Sequence, residues 1–174
     1  ICADVNQYDR FTKAAMARCN VLAAEFGCDR VSAGVLRGRY VHMLATSHSE
    51  KFSRKSQLVQ DVESAMEECL DQDGEVLWPG EAAEGTVSRA AEQLARRQGP
   101  AAVVSLTLRK DGEPFGAVTL ERPPDREMTP GEIESVRLAC ELCSPRLHDL
   151  HERDRWFGAR AAAGLRRGLA WAVG

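Results

Sequence analysis

The chain has no basic excess, no internal repeat and no low-complexity stretch, and no secretory leader is expected. Its net charge is −3, and a nucleic-acid binder would carry a basic balance. The opening, ICADVNQYDR, has neither the basic end nor the apolar run of a signal peptide. It also lacks an initiating Met, so a piece of a longer protein is expected. The last apolar run, 168–174, falls far short of the ~20 residues that cross a bilayer. Six cysteines, Cys2, Cys19, Cys28, Cys69, Cys140 and Cys143, follow no regular spacing. A body of this size does without disulfide staples, and a reducing compartment is expected.

What is present fits one domain with a short extension. Apolar residues make up 44% of the 174, enough for a core, and charged residues 28%. The charge is uneven. Residues 153–174 hold five Arg against one Asp, a local +4, which leaves −7 on the first 152. An acidic body at 7–152 is thus followed by a basic, Trp-containing tail at 153–174.

Periodicity sets out the elements. Tyr8, Phe11, Ala15, Cys19, Leu22 and Phe26 recur at helical spacing and predict a helix over 6–26, ended by Gly27. Two alternating segments, 30–37 and 40–47, predict strands turned at Gly38. A stripe from Leu58 to Leu70 predicts a helix over 54–72, with Ser53 as its cap. Val76, Leu77 and Trp78 predict a short strand, and 87–98 a helix capped by Thr86. Residues 101–122 read as two strands joined at Asp111-Gly112. Thr129, Pro130 and Glu132 form a capping box that opens the last helix. The order α-β-β-α-β-α-β-β-α predicts an α/β (α+β) fold: a three-layer α/β/α arrangement around an antiparallel sheet of five to six strands.

Three segments carry a family resemblance: EFGCDRVSAGVL, VVSLTLRKDGEPFGAVTLER and MTPGEIESVRLACELCSPRL. Over roughly 7–152 the chain resembles a GAF domain, which implies a small-molecule sensor or dimerisation module. Within that resemblance, Glu50-Lys51-Phe52-Ser53 shares only Lys-Phe with the cyclic-nucleotide motif, and no Cys-His pair is present for a bilin. No cofactor and no metal is expected. The tail and the segment SHSEKFSRKSQLVQ resemble GAF-like domains that precede the membrane span of some bacterial membrane-fusion (periplasmic adaptor, haemolysin-secretion-like) proteins. That resemblance implies a regulatory domain at the cytoplasmic face of the inner membrane, with a span beyond Gly174. Some GAF proteins reduce free methionine sulfoxide through paired cysteines. Only Cys28 and Cys69 lie centrally here, so no enzyme is expected.

Alternation gives the 101–122 hairpin two faces. Val104, Leu106, Leu108, Val118 and Leu120 form an apolar floor. Ser105, Thr107, Ala117 and Thr119 form a small, polar one, read either as the floor of a ligand pocket or as a face closed by the middle helices. His48, Phe52, Arg54 and Trp78 are the candidate wall of such a pocket, since a His, an Arg and aromatics hold anionic or planar ligands. Cys140 and Cys143 form a C-x-x-C pair inside the last helix, where core or interface cysteines are expected rather than redox or zinc chemistry. Ile133, Val136, Cys140, Cys143, Leu147 and Leu150 are spaced as an a/d seam, with Pro145 interrupting the ladder. The seam predicts a homodimer or a helix laid on its own sheet. Leu138 and Leu142 supply a second stripe, so one face can serve each purpose.

Overall fold

The computed structural model describes residues 8–49, 53, 55–80, 86–97, 99 and 101–172, with side chains in the last helix as far as 157. Its elements are α1 (Phe11–Phe26), β1 (Arg30–Arg37), β2 (Tyr40–Thr46), α2 (Gln57–Asp71), β3 (Val76–Trp78), α3 (Arg89–Arg97), β4 (Ala102–Lys110), β5 (Glu113–Arg122) and α4 (Pro130–Ala172). The five strands form one sheet in the order β2-β1-β5-β4-β3, and every neighbouring pair is antiparallel. Helices α1 and α4 cover one face, and α2 and α3 the other. The expected three-layer α/β/α fold is present, with five strands.

The two ends of the β4–β5–α4 segment form by local chemistry. Asp111 and Gly112 both adopt positive φ, 53° and 87°, as a two-residue hairpin of the right twist demands. At 129–132 the capping box is closed in both directions. The Glu132 N–H donates to Thr129 Oγ1 at 3.3 Å, and the Thr129 N–H donates to Glu132 Oε2 at 2.8 Å. Pro145 lies inside α4, which continues past 152 as one helix to Ala172.

Three expected boundaries move, and for α1 and α3 the partner is far along the chain. Helix α1 begins at Phe11 rather than residue 6, where the Phe11 N–H donates to Asp154 of α4 at 3.0 Å. Ser56, not Ser53, caps α2, accepting the Val59 N–H at 3.4 Å. Helix α3 begins at Arg89, beyond the reach of Thr86. Its Ala90 and Ala91 N–H groups donate instead to the Glu68 carboxylate of α2, at 2.9 and 3.2 Å. A carboxylate on a helix N-terminus satisfies donors the helix leaves free and complements its dipole.

The centre of the sheet rests on glycine. Gly116 of β5 lies so close to β1 that an added Cβ would sit 2.2 Å from the carbonyl oxygen of Gly34. That neighbour is backbone and cannot swing aside. Gly116→Ala is therefore expected to destabilise the domain by about 3 kcal/mol or more. Gly131→Ala, where an added Cβ meets nothing within 4 Å, should be neutral or mildly stabilising. Chemical denaturation of both variants checks this; equal midpoints would remove the close approach as a constraint.

The capping box gives a second expectation. The Thr129 N–H, then the Thr129 hydroxyl and Arg122, hold the Glu132 carboxyl below its usual range against the opposing effect of burial. A depressed folded-state pKa stabilises above the unfolded value of about 4.3, and the contribution is lost as pH falls through the folded value. Glu132→Ala should therefore melt below the parent at pH 7, with the gap narrowing toward pH 3. A gap that stays constant across thermal melts would remove the carboxylate charge from the account.

Candidate functional site

Register builds the site. On the face under α2 and α3, directly opposed residues fall into cross-strand rows. Thr46, Ser32, Thr119 and Ser105 form one row across β2, β1, β5 and β4. Ser105 and Thr119 bond to each other at 2.9 Å, and Ser32 Oγ donates to Thr46 Oγ1 at 3.2 Å. All four are buried. The neighbouring row holds Thr107, Ala117, Gly34 and Met43. Here α2 presses down: Met66 lies over Gly34, and Cys69 Sγ meets Thr107 Oγ1 at 3.5 Å. The row on the other side holds Trp78, Val103, Glu121 and Arg30. Arg30 donates through Nε and Nη2 to the two Glu121 oxygens at 2.6 and 2.5 Å, with Glu121 3% exposed.

The expected polar floor is therefore a single patch, buried at Ser105, Ala117 and Thr119 and half-buried at Thr107. Ser105, Thr107, Ala117 and Thr119 stand side by side on β4 and β5, as alternation implies. Their hydroxyls are satisfied by one another and by Cys69. The expected wall is not assembled. His48 follows β2 at one edge of the sheet, exposed at positive φ, with its N–H donating to Asn20 of α1 at 2.9 Å. Trp78 lies in β3 at the opposite edge, partly buried on the α2/α3 core. At about 4.8 Å per strand step the two are separated by most of the sheet width. Phe52 and Arg54 lie outside the described residues.

Sequence reasoning missed the Arg30–Glu121 pair. Its only signal is the even offset that puts Glu121 on the face of Thr119. It also missed Asp61 of α2, 1% exposed, which accepts from Gln57, Gln93 and Arg97 at 3.0–3.1 Å.

The a/d seam of α4 has a clear location. Ile133, Val136, Cys140, Cys143, Leu147 and Leu150 are all buried against α1 and the sheet. The seam thus serves the domain's own core. Leu138 and Leu142, 50% and 69% exposed, lie on the outer side of the same helix.

The cysteines are divided by the sheet. Cys28 belongs to the α1/α4 core and Cys69 to the α2/α3 core. Burial raises both thiols to about 11 and that of Cys140 to about 12. They are protonated at neutral pH and poor nucleophiles. Among the described residues no cluster of His, Cys, Asp and Glu is arranged to hold a metal ion, and no helix is long and apolar enough to cross a membrane.

A family model described as GAF domain matches residues 12–147. Solved structures share the fold at low identity. The GAF domain of cyanobacteriochrome TePixJ superposes with a TM-score of 0.61 at 15% identity, covering 87% of this chain and 97% of that one. Free methionine-R-sulfoxide reductase from Neisseria meningitidis, in complex with its substrate, gives 0.60 at 10% identity over 86% and 84%. The GAF domain of the Acinetobacter phosphoenolpyruvate-protein phosphotransferase gives 0.58 at 10% over 85% and 88%. No curated protein sequence matches the chain.

The hydroxyl row can be tested as a closed structural unit. Thr119→Val leaves the Ser105 hydroxyl buried without its partner and should cost about 1–3 kcal/mol. Adding Ser105→Ala should recover part of that cost, because both polar groups are then gone. Denaturation of the singles and the double completes the cycle. Strictly additive losses would show that the two hydroxyls do not depend on each other.

Proposed function

Because the chain belongs to the GAF domain family, we propose that it is a regulatory dimerisation module whose last helix passes the state of the domain to a larger protein. The observation that carries this reading is the division of labour on α4. Its inner stripe is used up in the core, while its outer side exposes Leu138 and Leu142. Trp156, 54% exposed, lies two heptads beyond Leu142 on the same side. A large apolar residue exposed once is ordinary, but three on one line of a helix suit a partner helix. A second copy is the simplest partner, since a two-fold axis lets the same stripe face itself.

The finer form of the proposal places this module beside a membrane in a bacterial secretion or transport adaptor, at the cytoplasmic face. The basic tail supports it: five Arg among 153–174, with Trp156, Phe157 and Trp171, match the composition of a juxtamembrane flank. A second reading, small-molecule sensing at the sheet face, draws on the hydroxyl row and the adjacent Arg30–Glu121 pair. A ligand there must favour one arrangement of α2 and α3 over another to have any effect. The reductase chemistry of the Neisseria neighbour finds little support in Cys28 and Cys69, which are protonated and on opposite sides of the sheet.

Sedimentation velocity over a concentration series tests the main reading. The expected result is a monomer–dimer equilibrium that Leu138→Glu with Leu142→Glu shifts to monomer, while the melting temperature measured on the monomer stays within a few degrees. A parent chain that stays monomeric at about 100 μM, a concentration that would populate a dimer with a micromolar Kd, would overturn it. So would a double variant that still dimerises.

A further inference from the structure

We propose that the cleft where α4 passes the β1–β2 hairpin is a binding site for a small organic monocarboxylate with a compact apolar body. It lies on the α1/α4 side of the sheet, away from the hydroxyl row, and the inference stands whether or not α4 dimerises.

The cleft has a volume of about 650 Å³, within the usual range of small-molecule sites. Phe11 of α1, Leu36 at the end of β1 and Leu44 of β2 give it apolar walls. Arg37, His151 and Arg155 bring polar groups to the same space. Their pairings decide what the cleft lacks. Asp154 is committed to the Phe11 N–H at 3.0 Å, and Arg155 to Glu152 at 2.6 Å. Arg37 has no ion pair with any described residue, so its positive charge faces the cleft uncompensated.

His151 is the second observation. It is 6% exposed, and its ring meets the edge of Phe11 at 5.3 Å between centroids. Neither ring nitrogen bonds to a described residue. Neither nitrogen is shut off from solvent, so the polar edge of the ring opens on the cleft that His151 lines. Burial, then the charge of Arg37, holds the imidazole below its usual pKa. It is neutral at pH 7 and retains one N–H to donate.

A carboxylate can meet both residues. Arg37 can take it as a charge-assisted pair and His151 as an N–H donor. One uncompensated cation suits one negative charge; the nearby Asp154 carboxylate weighs against a dianion. The apolar walls then select a hydrophobic body over a bare anion. Such a ligand joins the hairpin to the α1/α4 junction, the point where α4 leaves the sheet.

Titration of the full chain, followed by amide and imidazole NMR shifts, tests this with three probes: benzoate, its neutral isostere benzamide, and inorganic phosphate. Benzoate should saturate with a Kd on the order of 1 mM, a reasonable value for nine non-hydrogen atoms. The shifts should centre on Phe11, Leu36, Arg37, Leu44 and His151. Benzamide and phosphate should each bind at least tenfold more weakly. Arg37→Gln, a change at an exposed side chain, should raise the benzoate Kd about tenfold without moving the melting temperature. Several results would overturn the proposal: no saturable shift by about 10 mM benzoate, shifts mapping elsewhere, or benzamide or phosphate binding as tightly as benzoate. An Arg37→Gln chain that binds benzoate unchanged would do the same.

Discussion

The carboxylates of α2 fix the geometry of one whole layer. Strand β2 is a sheet edge, so the N–H groups of Val41 and Met43 point away from β1 with no strand to receive them. Glu67 and Glu63 take them, at 2.9 and 2.8 Å. Glu68, one residue from Glu67, caps α3. Asp61, about two turns earlier, gathers Gln93 and Arg97 of α3. One amphipathic helix therefore closes an edge that would otherwise invite pairing with another chain. It also starts the next helix and holds that helix alongside. Shifting α2 by one residue would break all of these contacts at once, so the register of β2, α2 and α3 is set together.

The opposite layer is held differently. Helices α1 and α4 meet the sheet through apolar side chains: Phe11, Cys19 and Leu22 from α1, and the six seam residues from α4. The directional contacts between these two helices gather near the start of α1, where Asp154 accepts the Phe11 N–H and Arg146 donates to the Tyr8 carbonyl at 3.3 Å. Hydrophobic contact is non-directional, so it fixes burial more than position. Position comes from ion pairs along the helix: Glu132 with Arg122 of β5 at 3.1 Å, Arg137 with Glu75 beside β3 at 2.5 Å, and Asp149 with Lys110 of β4 at 2.5 Å.

The legible parts of the sequence were those decided within a few residues. Asp111-Gly112 dictates its turn, Thr129 and Glu132 their cap, and the stripe of α2 its buried face. What escaped depends on partners far along the chain. The cap of α3 comes from Glu68, 22 residues upstream of Ala90, so Thr86 was the nearest local substitute. The wall proposed from His48 and Trp78 failed to assemble because spatial order is β2-β1-β5-β4-β3, which puts consecutive segments at opposite edges. Period-2 alternation correctly grouped Ser105, Thr107, Ala117 and Thr119. Alternation says which residues share a face; it does not say whether a helix or a ligand lies above them.

The seam on α4 shows why spacing alone is ambiguous. A helix on its own sheet and a helix in a coiled coil both need an apolar residue every three or four positions, and 133–150 satisfies either. What distinguishes them is the rest of the circumference. A helix that only packs on its sheet has a polar outer side, where Glu134, Ser135 and Glu141 fit. Leu138 and Leu142 do not fit, and neither has a place in the core. Their side chains lose nothing by folding the domain and stand to gain only from a surface outside it. The inner seam therefore accounts for stability, and the outer pair is where association, if selected for, leaves its trace.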